Sequence, residues 1–290
     1  MSPVVQTITP ELRRWIVAQA EAGCQPEEVV QAMVASGWHE DVAIEALEQT
    51  LRGRLEEVRQ ARTGAAAVAL LGSAVPEPAV AEGATVIEAE GHPVEVVMTL
   101  KHPRVVVFGH LLTGAECDEL MALARPKLER SETVDTATGG SEVNAARTSD
   151  GMFFERGEHP VIARLERRIA ALLNWPVEHG EGLQILRYRP GARYEPHYDY
   201  FDPDKAGTPR ILERGGQRVG TLVMYLNTPA RGGSTTFPDA GLEVAPVRGS
   251  GVFFSYDRPH PSTRTLHGGA PVLAGEKWVA TKWLREAVFR

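Results

Sequence analysis

The sequence predicts an α+β protein in which a jelly-roll barrel with flanking helices follows a small N-terminal module of three helices. Three observations support this prediction. Apolar residues recur at helical spacing between residues 9 and 51. Residues 62–90 are rich in Ala, Gly and Pro and have no sustained period, which is typical of a linker. From residue 183 onward, short apolar segments alternate with turns that contain Gly or Pro, which is typical of a β-barrel.

The N-terminal helical module is expected to span residues 1–61. Breaks at 23–26 and 36–38 divide its apolar pattern into three short helices. The segment AMVASGWHEDVAIEALEQ (32–49) resembles a ubiquitin-associated module, although any small helical bundle has the same periodicity. The module is therefore interpreted either as a domain that binds another protein or as an appendage for packing or dimerisation.

The main domain is expected to occupy residues 91–290, after the linker at 62–90. Arg104 to Phe108 is a β-branched strand, Thr113 is placed as the N-cap of a helix that runs to Ala124, and Pro160 opens a helix that runs to Leu173. Six further segments between 183 and 284 are predicted strands: LQILRY, RVGTLVMYL, TTFP, LEVAPV, GVFFSY and KWVATKWL.

Composition and charge exclude several classes of protein. Hydrophobic residues make up 43% of the chain and charged residues 24%, which is typical of a soluble globular protein. The net charge of -7 argues against nucleic acid as a partner. Only Cys24 and Cys117 are present, so neither a disulfide framework nor a cysteine zinc site is expected. No charged and apolar leader and no apolar run of membrane length occurs, so we expect no membrane association and a cytoplasmic location.

The segment YEPHYDYF contains a pair of candidate metal ligands. His197 and Asp199 are two residues apart, so on an extended strand both side chains leave the same face. A third ligand from elsewhere in the barrel would complete a site of two imidazoles and one carboxylate. That open arrangement is the one used by non-haem Fe(II) oxygenases.

Two later histidines are candidates for the third ligand. His267 stands in TLHGGAPVLAGEKW, where the two glycines permit close approach of the backbone and Lys277 follows ten residues later. His260 lies between prolines in DRPHPST, which is typical of an exposed loop. His267 is therefore the favoured ligand.

Five sequence blocks together resemble the prolyl 4-hydroxylase family of Fe(II)- and 2-oxoglutarate-dependent dioxygenases. The resemblance covers about residues 104–284 and implies a double-stranded β-helix, which is a jelly-roll or cupin-like barrel. The blocks are RTSDGMF (147–153), YRPGARYEPHYDYF (188–201), GGQRVGTLVMYLN (215–227), GGSTTFP (232–238) and LHGGAPVLAGEKWVATKW (266–283).

The resemblance implies a set of ligands and cofactors. His197, Asp199 and His267 would bind Fe(II), and the reaction would use 2-oxoglutarate, O2 and ascorbate. Lys277 would pair with the distal carboxylate of 2-oxoglutarate, since a Lys in a barrel interior requires an anionic partner. The alternative is a surface Lys277 that pairs with the neighbouring glutamate. The resemblance also places the hydroxyls of Tyr188 and Thr235 on the co-substrate, although these side chains could simply pack.

Further residues are implied at the substrate side of the site. Arg218 and Tyr194 are expected to be catalytic residues, with Tyr194 near the iron. Arg147, Arg218 and Trp283 are expected to contact substrate. Arg147 would begin a loop over the active site. Each of the two arginines and Tyr194 could instead be a structural residue. The chain departs from the family at one position: plant-like members often carry a His after the segment that corresponds to TKWL, and this chain has Arg285.

The resulting functional prediction is a hydroxylase that couples decarboxylation of 2-oxoglutarate to hydroxylation of a C–H bond. A prolyl residue in a peptide or protein is the favoured substrate, and a free amino acid or small metabolite is the alternative. The loops around Arg147 and 202–214 discriminate between the two: they would form an open groove if the substrate is a peptide, and a closed pocket if it is a metabolite. A cupin isomerase would account for the metal ligands but not for Lys277.

Overall fold

The computed structural model describes most of the chain and divides it into two compact units, Met1–Gly72 and Ser73–Arg290. No helix in the described part is long and apolar enough to cross a membrane. Cys24 and Cys117 are free thiols. The described residues are 6, 8–21, 24–53, 75–78, 80, 83–131, 133–134, 141–142 and 147–290.

The first unit contains the three predicted helices, α1 (Pro10–Glu21), α2 (Pro26–Ala35) and α3 (40–53). A capping box closes the start of α2, in which the Glu28 carboxylate accepts a hydrogen bond from the backbone N–H of the N-cap residue Gln25 at 2.9 Å. Residues 54–61 of the expected module lie outside the described residues. A separate apolar core holds the helices together: Ile16, Val29, Met33, Ala43, Ala46 and Leu47.

The second unit is built mainly from antiparallel strands. Its helices are α4 (Gly114–Ala124), α5 (Pro160–Leu173) and α6 (Thr208–Leu212). Its strands are β1 (Val86–Ala89), β2 (His92–Leu100), β3 (Arg104–Gly109), β4 (Glu129–Arg130), β5 (Thr133–Val134), β6 (Ser141–Glu142), β7 (Asp150–Phe154), β8 (Leu183–Tyr188), β9 (Tyr194–His197), β10 (Arg218–Tyr225), β11 (Arg231–Gly232), β12 (Thr235–Phe237), β13 (Leu242–Val244), β14 (Gly251–Ser255), β15 (His267–Gly269), β16 (Val272–Ala274) and β17 (Lys277–Arg285).

Two sheets form the predicted jelly roll. The large sheet has the order β1-β2-β3-β14-β10-β17-β8-β7-β4, and the small sheet has the order β13-β12-β15-β9. One apolar core fills the space between the sheets, where Phe237 of β12 meets Phe254 of β14 edge-on with ring centroids 5.2 Å apart. A second core lies between the large sheet and helices α4 and α5. The central strand β17 is consequently buried on both faces.

Local residues account for where the two predicted helices of the second unit, α4 and α5, begin and end. Thr113 caps α4 through a capping box with Glu116, as expected from its position before the apolar pattern. Asn174 ends α5 in the left-handed conformation. The buried ion pair between Arg168 and Glu116, at 2.9 Å, then joins α5 to α4.

The predicted linker at 62–90 is wrong in its C-terminal part. Residues 62–74 lie outside the described residues, but Val86–Ala89 forms the edge strand β1, and Ile87 and Ala89 belong to the core beneath α5. The strand was missed because four residues, Val-Ile-Glu-Ala, are too few to show a period next to an Ala- and Gly-rich segment.

This correction moves the expected N-terminal limit of the stable domain from Gly91 to Ser73. A chain that begins at Ser73 is expected to unfold at the temperature of the second unit in the full-length protein. A chain that begins at Gly91 should lose at least about 2 kcal/mol, because Ile87 and Ala89 leave the core. Thermal unfolding of the two shortened chains tests this, and equal stability would contradict the structural role of β1.

Candidate metal centre and its cavity

The two sheets bring His197, Asp199 and His267 together on the inner side of the barrel. Strands β9 and β15 are antiparallel, and His267 lies directly opposite His197. One ligand atom from each of the three residues lies within 4.8 Å of the others. Asp199 follows the end of β9, and its two carboxylate oxygens are 3.5 Å from Nε2 of His197 and 3.4 Å from Nε2 of His267. The predicted triad is therefore assembled by a strand pairing.

The backbone fixes which nitrogen of each imidazole faces the centre. Nδ1 of His197 lies 2.9 Å from the carbonyl oxygen of Glu195, and Nδ1 of His267 lies 3.0 Å from the carbonyl oxygen of Thr265. A carbonyl oxygen can only accept, so both Nδ1 atoms carry the proton. Nε2 of each ring is then free to bind a metal ion, which is the usual arrangement for a metal-bound histidine.

Burial and mutual charge favour the protonation states that a metal ion requires. Burial and the neighbouring His267 lower the pKa of His197. Burial alone would raise the pKa of Asp199, but His267 and His197 hold it well below its usual range. Two imidazole nitrogens and one ionised carboxylate on one face fit a divalent cation of the Fe(II) type, with coordination positions left open.

A cavity lies next to this triad, and Lys277 stands at its inner end. The Lys277 side chain is only 4% exposed, and burial lowers its pKa to about 7. No carboxylate of the described residues pairs with it, and its Nζ lies 5.5 Å and 5.6 Å from the ring centroids of Tyr188 and Tyr225. The surface alternative is wrong, since the Glu276 carboxylate instead accepts a hydrogen bond from the Trp278 indole.

The inner face of β17 forms one wall of the cavity. Lys277, Val279, Thr281 and Trp283 alternate along the strand, and all four line the cavity. The other lining residues are Leu186, Tyr188, Tyr194, His197, Asp199, Val223, Thr235, His267, Gly268 and Gly269. The expected co-substrate residues Tyr188 and Thr235 are therefore both brought to the cavity.

Tyr194 and Arg147 cover one side of the metal centre. The Tyr194 ring stacks on the His197 imidazole with centroids 3.8 Å apart, and the Arg147 guanidinium lies 5.2 Å from the centre of the Tyr194 ring. Arg147 also donates hydrogen bonds to Gln184 at 2.9 Å and Ser149 at 3.2 Å. Arg147 is buried, and the residues just before it, 143–146, lie outside the described residues.

Arg218 does not line the cavity, although it was predicted to be a catalytic and substrate-binding residue. Its guanidinium donates to the buried Glu181 carboxylate at 2.7 Å, and Arg285 donates to the same carboxylate. The Arg218 guanidinium covers the Trp283 ring at 4.1 Å and lies 3.4 Å from the carbonyl oxygen of Asp199. Arg218 therefore lies against Trp283, a residue of the cavity wall, and Glu181 neutralises one of the two guanidinium charges.

Several residues of the site carried no sequence signal. Glu181, Gln184, Thr221 and Tyr256 have no motif of their own, and their partners come from other strands, so nothing in one sequence indicates them. The competing ligand His260 is excluded, because it caps a short turn on the surface by accepting a hydrogen bond from the Ser262 backbone at 3.0 Å.

The chain is similar to several known proteins. A family model described as the 2OG-Fe(II) oxygenase superfamily matches residues 183–285. Prolyl 4-hydroxylase 5 of Arabidopsis thaliana is 41% identical over 209 residues, which cover 65% of this chain and 70% of the relative. Prolyl 4-hydroxylase 1 of the same plant is 43% identical over 63% of this chain and 69% of the relative. The crystal structure of a viral collagen prolyl hydroxylase from Paramecium Bursaria Chlorella virus-1, as a 2OG complex, is 31% identical, covers 62% of this chain and 95% of that chain, and has a TM-score of 0.49.

Proposed function

From the premise that this chain belongs to the prolyl 4-hydroxylase family of 2-oxoglutarate- and Fe(II)-dependent oxygenases, we propose that it hydroxylates prolyl residues in a peptide or protein. The observation that carries the proposal is the joint placement of the metal triad and the buried Lys277 on one cavity. Hydroxylation of a free amino acid or small metabolite is the alternative outcome.

The side chains of the cavity fit Fe(II) and 2-oxoglutarate. His197, Asp199 and His267 would hold the metal, and Lys277 would neutralise the distal carboxylate of the co-substrate. When bound, Fe(II) with O2 supplies the oxidising chemistry that converts 2-oxoglutarate to succinate and CO2 and transfers one oxygen atom to a substrate C–H bond.

The hydroxyl of Thr235 could donate a hydrogen bond to the same carboxylate as Lys277. Tyr225, which is fully buried, donates its hydroxyl proton to Oγ1 of Thr235 at 2.7 Å. Because that bond occupies an acceptor position of Thr235, the Thr235 proton remains available as a donor. A carboxylate at the inner end of the cavity would therefore receive hydrogen bonds from both Thr235 and Lys277.

An apolar wall at the outer end of the cavity supports a large substrate with an apolar ring. Trp283 lines the cavity, and Phe153, which is 53% exposed, continues the wall to the surface with its ring centroid 6.3 Å from that of Trp283. A prolyl ring packed on Trp283 would leave flanking peptide residues on Phe153.

The substrate class can be tested with a proline-rich peptide and the same peptide with every proline replaced by alanine. Each is incubated with the enzyme, Fe(II), 2-oxoglutarate and ascorbate and analysed by mass spectrometry. The proposal predicts a gain of one oxygen atom on proline in the first peptide only. Turnover of free proline without turnover of any peptide would favour the metabolite alternative.

Binding of 2-oxoglutarate is expected to weaken as the pH rises above about 7. Burial lowers the pKa of Lys277 to about 7 in the free protein, so the ammonium is charged below this pH and neutral above it. A bound carboxylate favours the charged form, and binding above pH 7 must therefore take up a proton. The dissociation constant should rise by up to about tenfold per pH unit above 7 and change little below it.

Anaerobic titrations of 2-oxoglutarate into the iron-loaded protein at several pH values measure this dependence. Lys277→Arg provides the control, because an arginine stays charged throughout the range and should make the affinity nearly independent of pH. A flat profile in the wild-type protein would contradict the role of Lys277.

We also propose that the N-terminal module binds a cationic amphipathic segment of another protein. A groove of about 490 Å³ lies between α2 and α3. Apolar side chains line it, namely Val30, Ile44, Leu47 and Leu51. Glu27, Glu40 and Glu48 also line it, and none of its lining residues is basic. Residues 1–53 contain eight acidic residues and three arginines, so the surrounding charge also favours a basic partner.

Binding of a helical peptide made of leucine and lysine to the full-length protein tests this surface, with a leucine–glutamate peptide as the charge control. The first peptide should bind, the second should not, and Glu27→Lys with Glu48→Lys should weaken binding at least about tenfold. The matched control is Glu88→Lys with Glu129→Lys, two exposed glutamates of the second unit. Equal binding of both peptides, or equal loss in both double variants, would overturn the proposal.

A further inference from the structure

We propose that Thr221 and Tyr256 form a hydrogen-bonded chain that positions the metal ligand Asp199. The chain starts at the Tyr256 hydroxyl, which lies 3.0 Å from Oγ1 of Thr221, and ends at Oδ2 of Asp199, which lies 2.7 Å from the same Oγ1. The proposal rests on the assignment of Asp199 as a metal ligand and adds two residues that lie outside the cavity.

The direction of both hydrogen bonds follows from the chemistry of the end group. An ionised carboxylate can only accept, so the single hydroxyl proton of Thr221 points to Asp199. The Thr221 oxygen must then act as acceptor toward Tyr256, and the phenol proton points to Thr221. Each bond polarises the next in such a chain, so the Tyr256 hydroxyl makes Thr221 a stronger donor to the carboxylate.

The surrounding sheet holds the chain in one geometry. Thr221 lies in β10 opposite Phe254 of β14, and Tyr256 follows β14, where its backbone N–H donates to the carbonyl oxygen of Val219 at 3.0 Å. Thr221 is fully buried and Tyr256 is 2% exposed, so water does not compete for the hydroxyls. The large sheet thereby fixes a carboxylate that follows a strand of the small sheet.

The chemical consequence concerns how the carboxylate binds the metal ion. Because Thr221 holds Oδ2, Asp199 cannot turn freely about its terminal bond, and its two oxygens are not equivalent. A carboxylate held in this way favours binding through one oxygen. Such binding keeps coordination positions open for the co-substrate and O2.

Affinity for Fe(II), measured anaerobically without 2-oxoglutarate, tests the chain directly. Thr221→Val keeps the shape of the side chain but removes the donor, and it should weaken iron binding about 10- to 100-fold, the range typical of partners of metal ligands. Thr221→Ser should retain most of the affinity. Tyr256→Phe should weaken iron binding by a smaller factor, because Thr221 keeps its own proton.

A double-mutant cycle separates positioning from a general loss of stability. If Tyr256 acts only through Thr221, Tyr256→Phe should lower iron affinity in the wild-type protein and have no further effect in Thr221→Val. Tyr200→Phe is the matched control, because its ring centroid lies 6.0 Å from that of Tyr256 while its hydroxyl lies outside the chain. It should leave iron affinity unchanged.

The outcomes distinguish this proposal from the function itself. A wild-type protein that binds no Fe(II) would overturn the metal site. Equal Fe(II) affinity of the wild-type and Thr221→Val proteins would overturn the hydrogen-bonded chain but not the metal site. Equal effects of Tyr256→Phe in the two backgrounds would do the same. If Thr221→Val does not fold, the Thr221→Ser and Tyr256→Phe variants test the proposal. Thr221→Ser must then retain most of the Fe(II) affinity, and Tyr256→Phe must lose part of it.

Discussion

Replacement of His197, Asp199 or His267 with Ala is expected to abolish decarboxylation of 2-oxoglutarate and hydroxylation. Each substitution removes one of three protein ligands, and even residues that only support a metal ligand affect affinity or activity by 10- to 100-fold. We therefore expect losses greater than about 100-fold. Folding should survive, because the barrel is held by two apolar cores that do not depend on a metal ion. Consumption of 2-oxoglutarate and thermal unfolding measure the two effects.

His260→Ala is the matched control for the two histidine substitutions. Its imidazole lies on the surface and supports only a local turn. This variant should keep wild-type turnover with at most a small loss of stability. Unchanged decarboxylation in any of the three ligand variants would show that the metal is bound elsewhere.

Lys277→Ala is expected to have the largest effect on the co-substrate. The substitution leaves a buried carboxylate without its cation and should weaken 2-oxoglutarate binding by roughly 3 to 5 kcal/mol. Affinity for Fe(II) should barely change, because Lys277 is not one of the three clustered metal ligands. Lys277→Arg should rescue binding only in part, since the planar guanidinium carries the same charge on a wider head.

The measurement is a titration of 2-oxoglutarate into anaerobic, iron-loaded protein, followed by the visible absorption that chelation of iron by the keto acid produces. Lys101→Ala, at an exposed turn between β2 and β3, provides the control and should have the wild-type midpoint. Equal midpoints for wild-type and Lys277→Ala proteins would mean that another group holds the anion.

The metal ligands were predictable because they lie in short blocks that resemble the prolyl 4-hydroxylase family. His197 and Asp199 are two residues apart, and the pairing of β9 with β15 supplies His267 as the nearby third ligand. Side chains alternate along β17, so Lys277 and Trp283 lie on the same face of the strand and both line the cavity. The strict period of side chains in a strand makes such assignments possible from one sequence.

Residues whose role depends on a distant partner could not be assigned in this way. Arg218 was interpreted as a residue that contacts substrate, but Glu181, 37 positions away, accepts its hydrogen bonds and holds it outside the cavity. Thr221 was an ordinary strand residue in the sequence, and only the packing of β10 and β14 behind Asp199 gives its hydroxyl a role. The edge strand β1 was missed for a different reason, because four residues are too few to show a period.

The sequence by itself predicted the type of barrel, the metal ligands and the position of Lys277, because short blocks of the chain resemble the prolyl 4-hydroxylase family. The tertiary structure alone decided which buried charges neutralise one another and which hydroxyls reach the metal ligand. Charge pairing and hydrogen bonding act over about 3 Å in space, and no rule of sequence spacing relates residues that lie on different strands of a folded sheet.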